Sequence, residues 1–143
     1  MNIKSILPYS LLLVLLLTTL LVAADKDAIL GNYHLPNDLD IEIYATSSGY
    51  EGKIIALNNY ENGITTDVKN PDKSKRDTPL LGAVIIKGLA FDAESKEWVD
   101  GSMYGPNKGI TVKLTVTEAT AKGASIVGSK FVMKKKMFWE RVQ

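Results

Sequence analysis

The chain has 143 residues, with 17 Lys plus Arg, 16 Asp plus Glu, one His and no Cys. That length fits one domain with an appendage, and a net charge of +1 argues against both a nucleic-acid-binding surface and an acidic disordered tail. Without cysteine there is no disulfide scaffold, thiol redox chemistry or cysteine metal site, and His34 alone cannot build a multi-histidine zinc site.

Residues 1–24 read as an export signal. Lys4 supplies the positive start, Ile6 to Val22 a Leu-rich apolar stretch, and Val22-Ala23-Ala24 the small residues of a cleavage site before Asp25. The competing reading is an uncleaved anchor, but no basic stop-transfer cluster follows. With no cysteine to acylate, a lipoprotein is disfavoured. Processing near Ala24 would leave residues 25–143 as a periplasmic or secreted domain of zero net charge, since Lys4 leaves with the signal.

Beyond residue 25 the dominant period is two. Ile29 to Leu35 opens the series. Leu39-Asp40-Ile41-Glu42-Ile43 alternates, and Ile54 to Leu57 and Ala83 to Ile86 are short apolar runs suited to strands buried on both faces. Trp98 to Tyr104 follows. Ile110, Val112, Leu114 and Val116 alternate with Thr111, Lys113, Thr115 and Thr117, the clearest strand in the chain. Ala124 to Val127 and Phe131 to Val142 complete the set. Turn residues at Ser47-Ser48-Gly49, Asp92 to Ser95, Pro106 to Gly109 and Lys122-Gly123 punctuate the runs. About eight strands at hairpin spacing, with no amphipathic helix, predict an up-and-down antiparallel barrel, and a two-sheet sandwich is the alternative. Asn58 to Thr78 interrupts the rhythm with a long polar loop, a length associated with lids, binding loops or disorder.

The order and spacing of several motifs resemble the bacterial domain of unknown function 2147 family. They are Asp67-Val68-Lys69-Asn70-Pro71-Asp72, Arg76, Pro79-Leu80-Leu81-Gly82, Trp98-Val99-Asp100-Gly101, Tyr104-Gly105-Pro106, Gly109 and Trp139-Glu140-Arg141. The resemblance implies a lipocalin-like barrel, exported, with an interior pocket; it implies no particular reaction. Departures are Gly31-Asn32-Tyr33 where members often carry Gly-x-Trp, Ile110 where a Lys usually follows the glycine, and a glycine-rich pattern reduced to Gly128. In lipocalin-like barrels an aromatic of the first strand packs under a C-terminal Arg, which gives Tyr33 and Arg141, with Gly31 and Gly82, structural roles. Anion binding is the alternative for Arg141.

The remaining candidates are ligand contacts. Asn70, Asp72 and Arg76, with Asp67, form the polar cluster of the long loop. They read as a structural turn in which Arg76 clamps a carboxylate, as a ligand rim, or as a calcium site, although the spacing is not that of an EF-hand. Trp98 and Tyr104, six residues apart, share a face of a regular strand and would wall the interior, as would Ile85 and Leu114. Lys134 and Lys136 share one face of the last strand, while Lys135 shares the other with Met137, Trp139 and Arg141. If that face is interior, Lys135 is a buried cation and, with Trp139, a ligand contact. Three lysines also suit an anionic surface. His34 stands without a nucleophile motif, no phosphate loop is present, and the sequence favours neither an enzyme nor a cofactor. Two functions are expected: binding a small hydrophobic or amphipathic molecule inside the barrel, or an envelope interaction module that uses loop 58–78 around a solid core.

Overall fold

The computed structural model describes residues 25–143. The expected signal, residues 1–24, lies outside the described residues. A short 3-10 turn, Lys26–Ile29, precedes eight strands: β1 (Gly31–His34), β2 (Asp40–Thr46), β3 (Gly49–Ala56), β4 (Val84–Asp92), β5 (Glu97–Gly105), β6 (Ile110–Ala119), β7 (Gly123–Lys130) and β8 (Met133–Val142). Each pairs antiparallel with the next, and β1 closes on β8. Closure leaves no open sheet edge, which is how a cysteine-free chain satisfies its backbone without a cross-link.

The period-two pattern fixes the inner face. Ile41, Ile43, Tyr50, Ile54, Ile86, Leu89, Trp98, Leu114, Val116, Ala124, Ile126 and Trp139 are buried in one core. The registers Ile41↔Ile54, Ile86↔Met103, Met103↔Val112 and Leu114↔Gly128 carry this inner layer around the cylinder. One end of the barrel carries the turns β2–β3, β4–β5 and β6–β7, and the turn 26–29 plugs it. The other end carries the loops 35–39, 57–83, 106–109 and 131–132.

Several expectations are corrected. The segment from Ile29 does not open as a strand, because Asp25 caps a 3-10 turn by accepting from the Asp27 N–H, and β1 begins at Gly31. Phe131 and Val132 form a hairpin tip, not strand, and β8 starts at Met133. The Ile54 run is not buried throughout: β3 alternates along Gly49–Ala56, and Leu57 has left the sheet. Trp98 and Tyr104 do not share a face. The β5–β6 register runs from Trp98↔Val116 to Gly101↔Leu114, so β5 holds one extra residue there, and Asp100 sits at φ 62. A bulge reverses the parity beyond it. Trp98 therefore points inward and Tyr104 outward. Ile85 likewise lies beneath the long loop outside the barrel, while Leu114 is interior.

Candidate functional site

Two concavities stand out among the described residues. The first is a cavity of 580 Å³ at the open end, inside the barrel. Met103, Val112, Gly128, Lys135, Met137 and Trp139 line its walls, and Leu35, Lys108, Phe131 and Met133 belong to its rim. Gly128 faces Lys135 across β7–β8, so a residue without a side chain widens the barrel beside a long cation. Trp139 is fully buried at the inner end, with its ring 6.5 Å from that of Tyr33. Its Nε1–H meets no protein acceptor. A buried donor left without a partner costs about 1–3 kcal/mol, and this atom is shielded by the side chains around it.

The second concavity, 830 Å³, lies outside the barrel, between the long loop and the outer faces of β4–β6. Its organising group is Asp67, a carboxylate only 7% exposed. Asp67 accepts from Tyr104 Oη at 2.8 Å and from Asn70 Nδ2 at 2.8 Å. Asn70 Oδ1 in turn accepts from the Asp72 N–H, and Asp72 Oδ1 accepts from the Ser74 N–H and hydroxyl. The Ser74 hydrogen bonds hold the Asp72 carboxyl below its usual range. Arg76 does not clamp a carboxylate: its Nε donates to the Asn70 carbonyl at 2.9 Å, closing the same turn. The loop is a self-bonded strap, with Thr66 bridging Pro79 and Lys69 Nζ donating to the Asn107 carbonyl at 2.8 Å. Gly82 ends it at φ 85. Among the described residues no group of three or more His, Asp and Glu is placed to hold a metal ion.

Alkali is expected to weaken the strap and the core. Burial, then the hydrogen bond to Asp67, pushes the Tyr104 phenol well above its usual range, and burial pushes Tyr50 and Tyr60 up to about 12. Above pH 10 the unfolded chain sheds these protons while the folded chain keeps them. Their stabilisation is therefore complete below pH 10 and is lost as pH rises through the folded values. Urea midpoints are expected to fall from pH 10 towards 12, and Tyr60→Phe with Tyr104→Phe should flatten that fall. An unchanged slope would contradict the assignment.

At the closed end, Arg141 lies 4.9 Å from the Tyr33 ring centroid. Its Nη1 donates to the Leu30 carbonyl, Nη2 to Ala28 and Nε to Thr120. Gly31, at φ 135, leaves room for the guanidinium, where an added Cβ would collide with Nη1.

A profile of the family described as "Uncharacterized protein conserved in bacteria (DUF2147)" matches residues 32–141. The chain belongs to this family. No curated protein matches. Among solved structures, the Helicobacter pylori protein HP1028, described as belonging to the lipocalin family, superimposes with a TM-score of 0.67. The two chains are 18% identical, with 80% of this chain and 83% of that one covered, so the likeness is one of fold.

The family's motifs are divided by the fold among separate places. The Asp67–Asp72 segment, Arg76 and Tyr104 build the outer strap. Asn70 and Tyr104 line the outer cleft, while Asp72 and Arg76 line neither concavity. Trp98 serves the closed end, its Nε1–H donating to the Lys26 carbonyl at 2.9 Å. Only Lys135 and Trp139 of the expected ligand contacts line the inner cavity. Lys135 is on the interior face yet remains exposed, because it sits near the mouth; the buried-cation expectation is corrected. Sequence reasoning passed over Met103, Val112 and Met137 as cavity walls. Val112 was signalled by the alternation of β6, and Met137 by its place between Lys135 and Trp139.

Proposed function

We propose that this DUF2147 protein is an exported barrel that holds a small, mainly apolar molecule in its interior. The cavity at the open end of the barrel, with its largely apolar walls, carries this reading. Met103, Val112 and Met137 cover apolar surface, and Lys135 waits at the mouth. The cavity volume suits a ligand of ordinary metabolite size, since such sites span about 300–1,000 Å³. The Leu-rich segment 6–22 and the small residues before Asp25 support export.

Native mass spectrometry of protein isolated from its own host is expected to show a non-covalent adduct, released on denaturation, and a mature N-terminus near Asp25. Gly128→Leu, which extends a side chain into the cavity, should weaken the adduct about tenfold. No adduct, together with tryptophan emission indifferent to extracts of the host, would sink the ligand-carrier reading.

A further inference from the structure

The β7–β8 hairpin carries a feature that the core does not explain. Lys130 pairs with Met133, so Phe131 and Val132 alone make the connection. Phe131 is 94% exposed, Val132 96% and Met133 76%. Phe131 also stands at φ 54, a left-handed conformation costly for a bulky side chain and one that tight hairpins usually assign to glycine or asparagine. The tip therefore holds an aromatic residue that is unfavourable both for its backbone and in water. Immediately behind it stand Lys130, Lys134, Lys135 and Lys136. Between Glu118 and Glu140 every charged residue is a lysine.

An apolar tip with a ring of flexible ammonium groups behind it matches a particular partner. The three apolar side chains reach the depth of acyl chains, and the lysines extend back to the phosphates. A protein partner would cover the apolar residues, but lysines are depleted from the cores of protein interfaces. We infer that the hairpin tip 130–136 docks on a bilayer containing anionic phospholipid. Docking does not require the inner cavity to be filled. Because Phe131 and Met133 also belong to the cavity rim, docking would turn the mouth towards the lipid.

The test uses protein in the form its host accumulates, carrying Phe131→Trp. Vesicles of phosphatidylcholine with phosphatidylglycerol are compared with phosphatidylcholine alone. Since the reporter sits at residue 131, the apolar segment 6–22 cannot imitate the signal, and wild-type protein with the same vesicles gives the Trp98 and Trp139 emission to be subtracted. A blue shift of the F131W emission with anionic vesicles, quenched by brominated acyl chains and reversed by salt, is expected. Phe131→Gly should hold or raise Tm while reducing partitioning about tenfold, and Lys134→Gln with Lys136→Gln should reduce it by a similar factor. Unshifted emission, equal partitioning into neutral vesicles, or full binding by F131G would overturn the inference. So would photocrosslinking from residue 131 to a protein when vesicles give no shift.

Discussion

Replacing Arg141 by alanine is expected to lower the unfolding free energy by roughly 3 kcal/mol, read as a shift in the urea midpoint. The guanidinium joins three parts of the closed end. It covers the Tyr33 ring, donates to Ala28 and Leu30 in the N-terminal segment, and donates to Thr120 in the β6–β7 turn. Tyr33 adds a bond of its own, from its hydroxyl to the Ile29 carbonyl at 2.8 Å. Without Arg141 the plug over residues 26–29 keeps the buried Ile29 side chain, that bond, the Trp98 bond to Lys26 and the contact from Tyr50 to Asp27. Arg141→Lys should recover less than half of the loss, because one ammonium cannot span carbonyls on two segments in the way a planar fork does. Amide exchange should rise first across Lys26–Leu30. A lysine variant as stable as the wild type would show that charge alone, not the fork, holds this end.

The legible and illegible parts of the molecule differ in range. The alternation of Ile110, Val112, Leu114 and Val116 is a local consequence of the pleat, and it located β6 and its inner face. Eight runs with turn residues between them likewise indicated a closed barrel. What failed was parity carried across an unseen insertion. Trp98 and Tyr104 are six residues apart, but the extra residue near Asp100 exchanges inside for outside, and the Asp100-Gly101 pair, a bulge cue inside a strand, was not read as one. The Arg76 expectation failed for a related reason. A guanidinium near carboxylates in sequence met a backbone carbonyl, because Asp72 was already engaged by Ser74 and Asp67 by Tyr104. Phe131-Val132 looked like strand because aromatic and β-branched residues favour strands; the hairpin register overrides that preference and places them at the tip. Lys135 was correctly set on the face of Trp139, but depth along the barrel decides whether a cation there is buried, and depth has no sequence signature.

Deleting residues 60–76 is expected to cost roughly 4–6 kcal/mol, a large part of the stability of a domain this size. Three losses contribute. Tyr60 leaves the core, where it is almost fully buried. Tyr104 loses the Asp67 carboxylate that accepts its hydroxyl. Ile85, covered by the strap on the outer face of β4, meets water. The strap also packs too closely to be a free arm, for the Lys69 carbonyl lies against Gly109 where any Cβ would collide with it. A loop that merely captured a partner could be removed with little effect on thermal unfolding. Asp67→Ala separates the contributions without shortening the chain: it should cost about 2 kcal/mol by leaving the Tyr104 hydroxyl and Asn70 amide without their acceptor. Asp67→Asn, which keeps an oxygen acceptor, should cost less. If the deletion unfolds at the wild-type temperature, the loop is not a strap and the interaction-module reading of residues 58–78 regains its basis. If it unfolds early while Asp67→Ala behaves as stated, the polar cluster of the family motif is the fastening of the strap, and ligand contacts are to be sought inside the barrel, at Trp139 and Lys135.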